Sequence, residues 1–127
     1  MKRAILTTQH RTYFTVSDQA AEFIQALMER EWLAFVRRAQ ILDHSLSSGR
    51  PSVRVAKHLE GSSENLWELR VKCGRGPQIR FLYFCHGKEV LIVRCLRKRE
   101  EIRRRDIELA DRDAKRWKID ARPGRAE

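Results

Sequence analysis

Residues 66–105 read LWELRVKCGRGPQIRFLYFCHGKEVLIVRCLRKREEIRRR and decide the fold. Within this segment, three runs rich in β-branched and aromatic residues occupy positions 66–72, 78–85 and 90–96. Such residues favour strands, and the short breaks containing Gly or Pro between the runs favour turns. The segment therefore predicts three consecutive strands of a small antiparallel sheet, followed by a cationic tract at 97–105.

Alternation along these strands divides their side chains between two faces of the sheet. In the first two runs, one face is apolar and carries Trp67, Leu69, Val71, Ile79, Phe81, Tyr83 and Cys85. The other face carries Glu68, Arg70, Lys72, Arg80, Leu82 and Phe84. In the third run, Leu91, Val93 and Cys95 alternate with Ile92, Arg94 and Leu96.

The hairpin between the second and third runs tests this division. A loop with an odd number of residues puts Arg80 and Arg94 on the same face, whereas an even number puts them on opposite faces. The turn sequence is His86-Gly87-Lys88. We predict a three-residue loop with a bulge.

Upstream of the sheet, the sequence predicts a strand followed by helices. Of the β-prone runs at 4–8 and 12–16, the second is expected to form a strand because it leads directly into a helix. Ser17 or Asp18 is the expected N-cap. Apolar residues then recur at helical spacing in two series of different phase, which predicts two helices meeting near 29–31 or one kinked helix. The series are Ala20, Phe23, Ile24, Leu27 and Met28, then Trp32, Phe35, Val36, Ala39, Leu42 and Leu46.

The remaining segments complete an α+β fold. Gly49 and Pro51 are expected to end the helical region. An apolar edge over 103–118 predicts a C-terminal helix closing the edge of the sheet, with a frayed tail at 119–127. The expected architecture has two N-terminal helices packed on one face of a small antiparallel sheet, with a C-terminal helix.

Composition predicts one basic domain. The 127 residues are enough to bury a core, and 27 Lys and Arg residues against 17 Asp and Glu residues give a formal charge of +10. This balance favours nucleic acid as a partner, then an anionic membrane surface, then an acidic protein; the alternative is a basic protein without such a partner. We expect no signal peptide and no membrane span, and therefore a cytoplasmic protein.

The cysteines and histidines predict neither a metal site nor a cofactor site. Cys73, Cys85 and Cys95 are far apart and fall in or beside strands, where a free cysteine behaves as a small hydrophobe. The four histidines supply no closely spaced ligand pair.

Several motifs follow one another in order between residues 49 and 117. They are GRP at 49–51, LEG at 59–61, LWELR at 66–70, IRFLYF at 79–84, LRKR at 96–99 and DIELA at 106–110. In order and spacing they resemble the RelE/ParE superfamily of toxins from type II toxin–antitoxin systems, and within it the HigB-like, phage-derived branch. The first half of the chain agrees with that family in pattern only.

The resemblance implies a RelE-like fold and a toxin that inhibits translation. Nuclease members cut mRNA on the ribosome without metal: the ribose 2′-OH attacks the neighbouring phosphate and the 5′-OH leaves. That reaction requires a base, cations around the phosphate, and an acid at the leaving oxygen. The resemblance also implies a cognate antitoxin, which in the HigB-like branch is usually a helix-turn-helix protein.

The resemblance assigns phosphate contacts to named cations. Arg80 matches the strand arginine that contacts the scissile phosphate, and Arg70 matches the arginine of the LWELR motif. Lys98 and Arg99 match the basic pair expected at the rim of the site. The alternative for Arg80 is a structural ion pair with Glu68 or with the C-terminal helix, and for Arg70 it is a structural pair with Glu68. For the basic pair the alternative is a solvated run of charge.

The proton-transfer residues depart from the family pattern. Some nuclease branches carry a Tyr or His near the C-terminus, and residues 97–105 contain neither. Lysines that serve as the base in one branch are replaced by Leu66 and Glu68. This leaves His58 and Glu68 as candidates: a histidine is the better base at neutral pH, whereas Glu68 is expected to orient a nearby arginine.

The cationic residues around the third strand are expected to bind RNA. They are Arg94, Arg97, Arg99, Arg103, Arg104 and Arg105. Phosphate contacts of this kind weaken steeply with salt. The alternatives are a solvated helix start and a surface neutralised by an acidic antitoxin segment. Two further hypotheses are a non-enzymatic toxin of the gyrase-poisoning type and an inactive, basic nucleic-acid-binding phage remnant.

Overall fold

The computed structural model describes residues 13–47, 56–87, 89–98 and 101–120. In chain order these residues form β1 (Tyr13–Val16), α1 (Asp18–Gln25), α2 (Glu29–Ser47), β2 (Ala56–His58), β3 (Trp67–Val71), β4 (Gln78–His86), β5 (Glu89–Lys98) and α3 (Arg104–Asp120). The predicted α+β class is confirmed. None of the helices in these ranges is long and apolar enough to cross a membrane.

The strands form one sheet in the order β1-β5-β4-β3-β2. Strands β3 to β5 pair antiparallel, as predicted, and β2 adds an antiparallel strand that was not predicted. Strand β1 pairs parallel to β5, which makes the sheet mixed. The short strand β2 lies in a region expected to be irregular. The run at 4–8 and the helix stop at Gly49 and Pro51 lie outside the described residues.

Ser17 joins the first helix to the sheet. Its hydroxyl oxygen accepts a hydrogen bond from the Ala20 amide at 3.2 Å, which makes it the N-cap of α1, and its O–H donates to the Val93 carbonyl at 2.7 Å. Helix α1 ends at Gln25, and a separate helix, α2, begins at Glu29. At the start of α2, the Met28 amide donates a hydrogen bond to Glu31 at 2.8 Å. Of the two alternatives left open by the sequence, two separate helices is correct.

Helices α1 and α2 cover one face of the sheet, here called the helix face. Phe81 is fully buried there, stacked on Phe35 with ring centroids 4.4 Å apart and in edge contact with Phe23. The buried sheet residues of this core are Ala56, Leu69, Val71, Ile79, Phe81, Tyr83, Val90, Ile92 and Cys95. This confirms the apolar face predicted for the first two runs, except at Cys85, which is exposed.

Helix α3 packs on the second face rather than closing the sheet's edge. Ile107, Ala110 and Ala114 of α3 lie in a core with Leu82, Phe84, Leu91 and Val93 of the sheet. Four apolar side chains on that face would otherwise contact water, so burying them under an amphipathic helix is favourable. Helix α3 therefore covers the apolar half of the second face.

Polar contacts fix α3 to the loop before β3. Asp111 accepts hydrogen bonds from the Ser62 hydroxyl at 2.7 Å and from the Ser63 amide at 2.9 Å. Lys118 pairs with Glu64 at 3.2 Å. These contacts between α3 and a loop distant in sequence fix the position of the helix.

The hairpin between β4 and β5 differs from the prediction. Its turn has two residues, because His86 pairs directly with Glu89. A register shift between Leu82 and Tyr83 then inserts one extra residue, Val93, into β5. The even turn alone would put Arg80 and Arg94 on opposite faces, and the bulge restores them to the same face. The predicted outcome is therefore right, but the three-residue loop is wrong.

Candidate nucleic-acid interface

The half of the second face that α3 leaves uncovered is polar. Arg70 lies directly opposite Arg80, and Gln78 lies opposite Lys98. Cross-strand partners share a face, as do residues two positions apart on one strand. We call this surface the polar end and define it by Glu68, Arg70, Gln78, Arg80 and Lys98.

Glu68 is the centre of the polar end. It is buried and accepts a hydrogen bond from Arg80 at 2.6 Å, while Arg70 lies 3.3 Å from its other oxygen. The two arginines are direct cross-strand neighbours whose like charges repel each other, and the shared carboxylate offsets that repulsion. The ion pairs with Glu68 considered from the sequence are thus both present.

The two arginines differ in how far solvent can reach them. The side chain of Arg80 is 6% exposed, whereas that of Arg70 is 44% exposed. An arriving phosphate can contact Arg70 directly, but it reaches Arg80 only if Glu68 releases that guanidinium. Phosphate contact by Arg80 stays a prediction, and Arg70 is the more accessible of the two.

Lys98, expected at the rim of the site, has an acidic partner. Its ammonium is 2.5 Å from Asp106, in the first turn of α3. Burial raises the pKa of Asp106, but hydrogen bonds from Lys98 and from the Arg103 amide more than offset it and leave that pKa below its usual value. The rim is therefore tied to the start of α3.

The other predicted RNA contacts are divided between several locations. Arg94 shares the second face with Arg80, where it pairs with Asp113 of α3 at 3.4 Å. Arg103, Arg104 and Arg105 are exposed at the start of α3. Arg99 lies outside the described residues.

Arg97 lies on the helix face, not on the second face. It is the cross-strand partner of the buried Ile79, its guanidinium lies over the Phe23 ring, and it donates hydrogen bonds to Glu31 of α2. Adjacent residues on a strand point to opposite faces, so Arg97 and Lys98 separate even though they are neighbours in the cationic tract. Grouping Arg97 with the second-face cations is corrected by this geometry.

His58 also lies away from the polar end. It pairs with Trp67, which packs against the helix-face core, and the Nε2 atom of its exposed ring hydrogen-bonds to the Asn65 Oδ1 atom at 2.8 Å. Lys57, one residue earlier, is instead the cross-strand partner of Glu68. The structure therefore does not bring His58 together with Arg80, and it places Lys57 beside Glu68.

Sequence reasoning missed Lys57 and Gln78 as members of this surface. Lys57 is exposed and lies 4.0 Å from Glu101, and Gln78 begins β4. Alternation along β4 would have assigned Gln78 to the face of Arg80. Lys57 has no predictable face because the sequence around β2 predicts an irregular region.

The polar end is equipped to bind phosphate more clearly than to move a proton. Among its five residues there is no histidine, and its carboxylate, Glu68, already contacts two guanidinium groups. Tyr83 lies in the helix-face core, where burial raises its pKa well above the usual value. The arrangement supplies cations for a phosphate and leaves the general base unassigned.

The pair of Glu31 and Arg97 predicts a loss of stability in acid. The hydrogen bond from Arg97 lowers the pKa of Glu31 from 4.5 to about 2, against the opposing effect of burial. Because the folded pKa lies below the unfolded one, the stabilisation is complete above about pH 4.5 and is lost as the pH falls toward about 2.

We therefore expect Glu31→Gln to lower the free energy of unfolding by about 1–3 kcal/mol at neutral pH, with partial exposure of Arg97 limiting the effect. The difference from wild type should shrink near pH 2–3, as measured by chemical denaturation at both pH values. Glu22→Gln, at an exposed position of α1, is the matched control and should behave as wild type. A difference that does not change with pH would contradict the role given to this pair.

No protein-family model matches the sequence, and the curated proteins gave no match. Among solved structures, the chain is similar to one in the crystal structure of the archaeal RelE–RelB complex from Pyrococcus horikoshii OT3. The identity is 21%, the alignment covers 72% of this chain and 99% of that chain, and the TM-score is 0.48. These values do not assign the chain to a family.

Proposed function

We propose that the protein is the toxin of a type II toxin–antitoxin system of the RelE/ParE kind, HigB-like in its motifs, and that its polar end binds RNA phosphate. The observation that carries the proposal is Arg70, a basic side chain of the polar end that is 44% exposed. In this proposal the chain is a ribosome-dependent, metal-independent mRNA endoribonuclease. The order of the LWELR, IRFLYF and LRKR motifs supports the family.

Charge supports a polyanionic substrate. Arg70 and Lys57 are exposed at or beside the polar end, and Glu68 and Asp106 are both largely buried. The exposed cations at the start of α3 extend this surface. Clustered cations of this kind favour phosphate contacts and fast, salt-dependent association.

The polar end suggests a division of roles. Arg70 would contact the phosphate and stabilise charge that develops during attack by the 2′-OH. Glu68 and Arg80 would act beneath it as positioning residues, since Glu68 contacts both guanidinium groups. Lys98 would form the rim, and His58 has no part in this scheme because of the face on which it lies.

The proposed partners are mRNA on the ribosome and a cognate antitoxin. In the HigB-like branch, the antitoxin is expected to be a helix-turn-helix protein. An acidic antitoxin segment lying across the polar end would block Arg70 and neutralise the surrounding cations.

One observation favours a second function, a non-enzymatic toxin of the gyrase-poisoning type. The polar end holds no histidine, and its carboxylate is engaged by two arginines. A surface that binds without turnover needs no general base. The same observation allows an inactive, basic nucleic-acid-binding phage remnant.

Induction of the chain alone tests the proposal. We expect growth to stop within the first generations and new mRNA 5′ ends to appear inside translated reading frames, mapped by sequencing of RNA ends. Co-expression of the antitoxin, found as the neighbouring reading frame, is the control and should restore growth. Replication arrest with intact mRNA would support the gyrase-type function instead, and normal growth would contradict both toxin functions.

A further inference from the structure

The turn between β3 and β4 contains an open cleft that the proposed catalytic scheme does not use. Its volume is about 360 Å³, and it is lined by Lys72, Gly74, Arg75, Gly76 and Gln78. Pockets that hold small ligands begin at roughly 300 Å³. The cleft is therefore large enough for one small molecule or one unit of a polymer.

Two cations of the cleft are unpaired within the part of the chain that the structure describes. Lys72 and Arg75 are exposed, and no described carboxylate pairs with either of them. This distinguishes them from Arg70 and Lys98, which already have acidic partners. Gly74, at φ +74°, lets the backbone turn without a side chain filling the cleft. One side of the cleft is thus suited to a phosphate group.

Gln78, which also lines the cleft, has an acceptor atom that lacks a donor. The Oε1 atom of Gln78 is buried and has no hydrogen-bond partner in the described part of the chain. A buried acceptor without a donor is unfavourable, so a ligand that supplies an O–H or N–H there gains a hydrogen bond. A simple inorganic anion offers chiefly acceptors, whereas a nucleotide offers a phosphate together with ribose and base donors.

We propose that this cleft binds a single nucleotide unit. Its phosphate would lie on Lys72 and Arg75, and a ribose hydroxyl or base amino group would donate to Gln78. Lys72 follows Arg70 by two residues and Gln78 precedes Arg80 by two, so the cleft adjoins the polar end on the same face, about 6.6 Å along each strand. The inference rests on the proposed function in taking the nucleotide to belong to RNA, since the same chemistry would accept a free nucleotide.

The test titrates the full chain with adenosine 5′-monophosphate and, separately, with inorganic phosphate, using isothermal calorimetry. We expect one site for the nucleotide, and Lys72→Ala/Arg75→Ala should weaken its binding by about tenfold or more. The control Lys115→Ala/Arg116→Ala removes the same charge from exposed positions on α3 and should leave binding within about twofold. Gln78→Met should weaken nucleotide binding and leave phosphate binding unchanged.

Three results would overturn the nucleotide site: no saturable binding of the nucleotide, equal weakening in both double variants, or inorganic phosphate binding as tightly as the nucleotide. A five-residue RNA oligonucleotide then separates the two sources. Tighter binding of the oligonucleotide than of the mononucleotide supports the RNA assignment, and equal binding overturns it. Failure of the wild-type chain to arrest growth would contradict the proposed function without changing the mononucleotide titration, so the two failures are distinguishable.

Discussion

Replacing Arg80 with alanine is expected to lower the free energy of unfolding by about 3–5 kcal/mol, because it leaves Glu68 charged, buried and without its closest partner. Glu68 is 2% exposed, and the Arg80 guanidinium lies 2.6 Å from its carboxylate. Domains of this kind are typically stable by only about 5–15 kcal/mol, so this loss is a large fraction of the total and should clearly lower the midpoint of denaturation. Chemical denaturation followed by circular dichroism measures the effect.

Replacing the other member of the ion pair, and then replacing both members together, makes this prediction specific. Glu68→Ala should destabilise to a similar extent, since it leaves the Arg80 guanidinium buried. The double variant Glu68→Leu/Arg80→Met replaces both charges with apolar groups of similar volume and should recover most of the stability. Arg116→Ala, at an exposed position of α3, is the control and should change stability by about 0.5 kcal/mol or less.

This stability prediction changes how the catalytic assignment of Arg80 can be tested. Loss of toxicity in Arg80→Ala would be ambiguous, because unfolding alone would produce it. The double variant separates loss of the fold from loss of the ion pair, since it removes Glu68 and Arg80 together while keeping the sheet packed. A stable Arg80→Ala protein would contradict the buried ion pair.

The second large effect is expected at Arg70. Arg70→Ala should reduce mRNA cleavage in a reconstituted translation reaction by about 10²-fold, the scale seen when one charge-stabilising donor is lost. Its side chain is 44% exposed, so the same change should leave the free energy of unfolding close to wild type. Cleavage is measured by primer extension on a defined mRNA.

Two comparisons control the Arg70 experiment. Arg70→Lys keeps the charge but loses the bidentate fork, and we expect it to fall between wild type and alanine. Arg116→Ala removes an exposed arginine from α3 and should cleave as wild type. Full activity in Arg70→Ala would remove this residue from the proposed site and favour binding elsewhere on the basic surface.

Local pattern predicted much of the sheet. Alternation in LWELR and IRFLYF correctly placed Phe81 under the helices and Arg70 and Arg80 together on the opposite face. The same rule places Arg97 and Lys98 on opposite faces, although both belong to the cationic tract that was expected to bind RNA. The cations could be assigned to faces from the sequence, but only where the strand itself was recognised.

Contacts between distant parts of the chain could not be predicted. Glu31 lies in α2, far along the chain from Arg97, and no local feature of either residue indicates the other. The position of α3 over the second face likewise depends on Asp111 binding the loop before β3. Such tertiary contacts decide which cations face a ligand and which are occupied.

The bulge at Val93 has a consequence for how this hairpin can change in length. The length of the turn and the bulge together decide which face each side chain at the end of β5 occupies. With a two-residue turn, Arg94 lies on the face of Arg80 only because one extra residue is inserted in β5. A turn lengthened by one residue would preserve both faces only if the bulge were lost at the same time. With the sequence unchanged, either change alone would shift the end of β5 by one residue against β4. Such a shift would exchange the faces of Lys98 and Arg97 and put Arg97 at the polar end.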